Sequence, residues 1–186
     1  MKIFTYVDNS NLFIEGWRLS VVRRHLDGVR NIYEAINQRL TDPDWALDYG
    51  RLHEFVCGSV KSEIGAARLW GSPPPSDSFW EYVRRKGFDV QTYEKSYGKE
   101  KKVDTAIAYQ IGKDSGRLID KDNDLIVIVA GDKDYVPCVE DLVAEGFTVD
   151  VMFWNHVSGE IKQAASSFIS LDAHLDYLTA EWVKLP

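Results

Sequence analysis

Aspartates fall at three points of the chain where an apolar segment gives way to a polar turn or a helix. Asp8 opens Asp8-Asn9-Ser10-Asn11, Asp104 follows Val103 at the start of a helical pattern, and Asp132 and Asp134 lie in Gly131-Asp132-Lys133-Asp134. None has a histidine or cysteine beside it, which argues against a zinc site or a nucleophilic dyad. Carboxylates from separate segments, with Asn11 nearby, suit the hard cations Mg²⁺ and Mn²⁺, which prefer carboxylate oxygen and water. Converging carboxylates repel one another, so such a set implies a cation between them. Asp104, in a first helical turn, gains from the helix dipole in its charged form. Each residue alone also has a structural reading: Asn11 suits a cap on the first helix, and Asp134 a cap on the helix after it. The repetition after two separate strands speaks for chemistry.

Other patterns fail on spacing. Asp120-Lys-Asp122-Asn-Asp124 begins like a calcium loop, but Leu125 and Gly131 stand where Gly and Glu are needed, so it reads as a solvated turn. Gly98-Lys-Glu-Lys-Lys102 lacks the spacing and hydroxyl of a phosphate-binding loop. Histidines 25, 53, 156 and 174 show no zinc spacing, and His156, although it follows a predicted strand, reads as a surface residue. Lysines near Tyr93 and Tyr97 suit phosphates and stacked bases of a single strand. Lys99, Lys101 and Lys102 are the better candidates, because their loop runs into Asp104, whereas Arg84–Lys86 reads as a solvated helix face.

The elements that must position these residues alternate. Residues 2–7 read as a strand and residues 12–19 as a helix with Leu12, Phe13 and Trp17 at helical spacing. Residues 20–63 read as a helical insert. Strands are then predicted over 66–70, 89–93, 124–130, 148–154 and 167–171. Helices are predicted over 77–86, 103–112, 135–145 and 159–165, with a last one at the C-terminus. The run DLIVIVA at 124–130 is apolar without alternation, as a strand buried on both faces requires. Alternating strands and helices predict one α/β domain over 1–186, a three-layer sandwich around a mainly parallel, Rossmann-like sheet. In such sheets ligands bind beyond the carboxyl ends of the strands, where the aspartates fall.

Composition bounds the rest. The 186 residues carry 29 acidic and 22 basic side chains, net -7, which by itself argues against nucleic acid. The charge is uneven: residues 84–102 hold seven basic and three acidic residues (+4), and residues 120–186 hold four and thirteen (-9). Two divalent ions at the aspartates would bring the total to -7 + 4 = -3. Only two cysteines, Cys57 and Cys138, form no disulfide framework, which predicts a reducing, cytoplasmic setting. The longest clean apolar run, residues 125–130, is far short of the ~20 residues of a membrane helix, so no membrane partner is expected.

The three aspartate motifs, in this order, resemble the NYN domain family, a branch of the PIN-like metal-dependent nucleases that includes the LabA-like proteins. Tyr6-Val7-Asp8-Asn9-Ser10-Asn11-Leu12 is similar to the family's opening strand ending in Asp-Gly-x-Asn-Leu. Lys101-Lys102-Val103-Asp104-Thr105-Ala106-Ile107-Ala108 is similar to its Lys-x-Val-Asp helix start, and Val129-Ala130-Gly131-Asp132-Lys133-Asp134-Tyr135 to its Ser-Gly-Asp-x-Asp-Phe. Asn9 stands for the usual Gly and Ala130 for a frequent Ser; neither change removes a carboxylate. The resemblance implies a PIN-like fold in which Asp8, Asp104, Asp132 and Asp134 are the catalytic and metal-binding residues, with Mg²⁺ or Mn²⁺ as cofactor. It further implies that Asn11 and Ser10, with Lys99, Lys101 and Lys102, meet the substrate, and that the reaction is hydrolysis of single-stranded RNA. A homodimer is left open.

Two other classes compete. A non-catalytic regulatory or nucleic-acid-binding module of the same family has no need of four bare carboxylates. A phosphatase of the haloacid dehalogenase type needs a second Asp two positions after the first, where Ser10 stands.

Overall fold

The computed structural model of the chain describes residues 1–72, 76–93 and 103–183. Its centre is a six-stranded sheet of order β3-β2-β1-β4-β5-β6, with β1 at Ile3–Asp8, β2 at Ile64–Gly71, β3 at Asp89–Thr92, β4 at Leu125–Val129, β5 at Thr148–Phe153 and β6 at Ser167–Ser170. All five neighbouring pairs are parallel, where the sequence predicts a mainly parallel sheet. Parallel sheets need both faces covered, and the central residues Ile126–Val129 are accordingly fully buried. Strand order reverses between β1 and β4, where Val7 pairs with Leu69 on one side and Val129 on the other. The crevice at such a switch point is where open α/β sheets place their ligands.

The first layer is formed by α1 (Asn9–Arg23), α3 (Tyr49–Cys57), α4 (Asp77–Arg85) and α8 (Leu175–Leu178), whose Leu12, Leu52, Val56, Trp80, Val83 and Leu178 meet Val7, Leu69 and Val127. The opposite layer is α5 (Val103–Ser115), α6 (Val136–Ala144) and α7 (Gly159–Ala164), whose Ile107, Ile111, Val139 and Ile161 meet Phe4, Tyr6, Ile126 and Ile128. Strand alternation therefore points Asp8, two residues beyond Tyr6, toward the α5 layer. Among the described residues no helix is long and apolar enough to cross a membrane.

Within residues 20–63, α1 continues to Arg23, and α2 (Ile32–Asn37) packs its Ala35 in a small core with Val21 and Val29. Asp42, 1% exposed, holds the return: Ser20 Oγ donates to it at 2.5 Å and Arg24 Nη1 at 2.8 Å. Trp45 then packs against α1, its Nε1 donating to Thr179 Oγ1 at 2.8 Å, and Asp48 N donates to the Leu178 carbonyl at 2.8 Å. This tie between the connecting stretch and the C-terminal segment brings residues 45–49 and 179–183 together beside the N-terminus of α1.

Two capping expectations change. Asp8, not Asn11, caps α1, accepting from Asn11 N at 3.0 Å. Asp132, not Asp134, caps the short 3₁₀ turn Lys133–Tyr135 that precedes α6, accepting from Asp134 N at 3.0 Å. Any Asp or Asn within a few positions of a helix start can cap it, so local sequence does not distinguish them.

Candidate metal centre

The carboxyl end of β1 delivers Asp8, the first turn of α5 delivers Asp104, and the turn after β4 delivers Asp132 and Asp134. Asp104, Asp132 and Asp134 each offer a carboxylate oxygen, and these oxygens all lie within 4.8 Å of one another. Burial is graded across the cluster: Asp8 is 4% exposed, Asp104 and Asp132 are half-buried, and Asp134 is exposed. Asp8 is not one of the three mutually close carboxylates and is linked to Asp104 through Tyr135.

Burying the Asp8 carboxylate is costly unless its oxygens are satisfied. One oxygen accepts the Asn11 amide at the positive end of α1, and Tyr135 Oη lies 3.2 Å from the other. The same hydroxyl lies 3.2 Å from Asp104 Oδ1. Burial, and then the charges of Asp8 and Asp104, push the Tyr135 hydroxyl far above the ordinary tyrosine range. It therefore stays protonated and donates to the two carboxylates, which it holds at a fixed separation. A tyrosine hydroxyl carries one proton to donate, so the two carboxylates share it.

The turn itself is set by close packing. Asn11 Oδ1 accepts from Gly131 N at 2.8 Å, which ties the ends of β1 and β4 together. Gly131 has no space for a side chain, since a Cβ there would stand 2.3 Å from Phe153 Cδ1. At the far end of α5, buried Asp114 accepts from Tyr6 Oη at 2.9 Å and Gln110 Nε2 at 2.8 Å, with Arg68 Nε 3.1 Å away as counter-ion. This clamp fixes α5 to β1 and β2, and so fixes Asp104 relative to Asp8.

Of the residues expected to meet substrate, Asn11 is engaged by its carbonyl oxygen in the tie to Gly131, and Ser10 lies in the first turn of α1, partly exposed. Lys99, Lys101 and Lys102 lie outside the described residues. Arg84, Arg85 and Lys86 are exposed at the end of α4, as a solvated helix face requires. His156 is not a surface residue: its side chain is 8% exposed and its Nε2 lies 2.8 Å from Glu15 Oε2 on α1. Tyr135 is the site residue that spacing missed. Its only local signal is its place directly after Asp134, where an aromatic reads equally well as core.

All the donors are carboxylate oxygens, the donor chemistry of Mg²⁺ and Mn²⁺ rather than of softer ions. The cluster could hold a metal ion.

A family model for the NYN domain matches residues 3–172. No curated protein matches the chain. Among solved structures, the crystal structure of a Vibrio parahaemolyticus protein of unknown function is similar, with a TM-score of 0.65 and 18% identity over 96% of each chain. That likeness concerns the fold: the same α/β architecture extends over nearly the whole of both proteins.

Proposed function

This chain belongs to the NYN domain family, and we propose from that premise that it is a metal-dependent nuclease hydrolysing phosphodiester bonds of single-stranded RNA. The observation that carries the reading is the convergence of Asp104, Asp132 and Asp134 oxygens within 4.8 Å, at the point where strand order reverses. The first turn of α5 and the turn after β4 bring these like charges together, and a cation between them would offset their repulsion.

Asp8, Asp104, Asp132 and Asp134 would hold Mg²⁺ or Mn²⁺. When bound, such an ion activates a water and stabilises the charge developing on the leaving oxygen. The chain's own residues supply the positioning. Tyr135 sets the spacing of Asp8 and Asp104. Asn11 fixes the turn that presents Asp132 and Asp134. Ser10 and the N-terminal amides of α1 would meet an anionic phosphate, and the lysines at 99, 101 and 102 would add positive charge for the strand. Water attacks phosphorus, the bond to the leaving nucleoside oxygen breaks, and that oxygen takes up a proton.

The test is cleavage of end-labelled, unstructured RNA with Mn²⁺, with Mg²⁺ and with EDTA, comparing wild type and Asp132→Asn. Metal-dependent cleavage that Asp132→Asn lowers by at least about a hundredfold is expected. A preparation inactive in both metals on several RNAs, or an equally active Asp132→Asn, overturns the proposal.

A further inference from the structure

On the other side of the first turn of α1 from the carboxylates lies a cavity of about 330 Å³ whose walls are mostly aromatic: Phe13, Tyr49, Phe79, Tyr82 and Trp182, with Ser78 at its edge. Four separate regions build it, with Phe13 coming from α1. Tyr49 comes from the start of α3, Phe79 and Tyr82 from α4, and Trp182 from the C-terminal segment tied down through Thr179. Tyr49 meets Phe79 and Tyr82 edge-on, with ring centroids 5.4 and 6.4 Å away. Trp182 stands 71% exposed, too open to be a core residue.

One wall of the cavity reaches the carboxyl end of β1. Tyr49 Oη donates to Asn9 Oδ1 at 2.7 Å, and Asn9 is the neighbour of Asp8. Asn9 and Phe13 are four residues apart and so share one face of α1. Along the helix axis Phe13 lies only about 7.5 Å beyond Asp8. A cation is present too: Lys86 Nζ lies 5.2 Å from the centre of the Tyr82 ring.

We infer that this cavity binds one unpaired nucleobase of the RNA strand whose neighbouring phosphate lies at the carboxylates. The inference rests on the nuclease reading of that site. A strand crossing the carboxyl edge of the sheet passes over the first turn of α1, from the α5 side to the α3–α4 side, and meets the cavity next. The volume is at the small end for ligand sites, which suits one base rather than a larger ligand. Rings presented at several angles accept any base through its π-face, with little sequence preference. A paired base is already stacked within its helix and cannot enter, so the cavity selects single strands.

The probe is a ten-residue oligouridine carrying one 4-thiouridine, photocrosslinked to the protein in EDTA, with the attachment site read by mass spectrometry. Crosslinks at Phe79, Tyr82 or Trp182 are expected. In parallel, KM for Mn²⁺-dependent cleavage is measured for wild type, for Trp182→Ala, for Ala46→Phe (which fills the cavity from its rim) and for Tyr33→Ala, an exposed aromatic on α2. Trp182→Ala and Ala46→Phe should raise KM about tenfold, the loss expected for one stacked base, while Tyr33→Ala leaves it unchanged. Crosslinks that avoid the cavity, or their absence, overturn the inference, as does an unchanged KM in both cavity variants. In either case cleavage by wild type leaves the nuclease reading standing. If wild type cleaves no RNA, the nuclease reading fails separately, and crosslinking, which needs no turnover, still decides the cavity. An occupant of another kind, a peptide or a second copy of the chain, yields no crosslink there.

Discussion

Asn11 and Gly131, 120 positions apart, are joined by a 2.8 Å hydrogen bond in which the Asn11 side-chain oxygen accepts the Gly131 amide. Asn11 stands one turn into α1 and Gly131 opens the turn after β4, so this bond closes the switch point between the two central strands. It sets where Asp132 and Asp134 stand relative to Asp8. Asn11→Ala should cost about 1 kcal/mol in urea unfolding, the usual worth of a partly buried hydrogen bond. It should also lower kcat for RNA cleavage more than it raises KM, because the displaced group is the carboxylate pair. Asn11→Asp keeps the acceptor, and should restore stability better than activity, since it adds a charge to the cluster.

Tyr135→Phe removes the hydroxyl that Asp8 and Asp104 share and leaves the ring in the core. Groups that orient metal ligands typically contribute ten- to a hundredfold in affinity. Mn²⁺ titration of the variant by calorimetry should show affinity about tenfold weaker, with an unfolding midpoint near that of wild type. Equal Mn²⁺ affinity would mean that the hydroxyl serves packing alone.

Asp134 is the exposed member of the cluster, and its substitution should set stability against metal binding. Without metal, Asp134→Asn relieves like-charge repulsion and should raise stability, by less than about 1 kcal/mol because exposed charges interact weakly. With Mn²⁺ at about a hundred times its dissociation constant, wild type should gain about 2.7 kcal/mol and the variant clearly less. Thermal unfolding with and without Mn²⁺ reads both effects, and an equal gain in the two proteins would place the ion elsewhere.

His53 predicts a pH dependence away from the site. Burial against Phe88 and Gly87 lowers its pKa below the ordinary 6.5, a shift only partly offset by its hydrogen bond to the Gly87 backbone. The unfolded chain therefore takes up the proton more readily than the folded one. Stability is complete above pH 6.5 and declines as the pH falls through 6.5 toward the lower folded value. Urea unfolding at pH 5 and pH 7.5 should show a gap that narrows in His53→Gln.

Much of this molecule was legible in its residues. Apolar runs with no alternation, such as Leu125–Val129, suit only strands covered on both faces, and their regular exchange with helical spacing leaves few architectures. The placing of the aspartates was legible too, because Asp8, Asp132 and Asp134 stand at or directly after the carboxyl ends of predicted strands, where parallel sheets present their ligands. What stayed hidden were the partners. Tyr135 has the spacing of a core aromatic, and so do Tyr49, Phe79 and Trp182. His156 looks like any polar residue after a strand until Glu15, 141 positions earlier, is set against it.

The sequence by itself thus determined the kind of chain, an α/β sheet with carboxylates at its strand ends, because periodicity and turn chemistry act over a few neighbouring residues. The tertiary structure alone decided which oxygens converge, which aspartate caps and which stays exposed, and that four separate stretches line an aromatic cavity. Those outcomes depend on distances between segments well separated along the chain, set by packing across the sheet, and no local pattern carries that information.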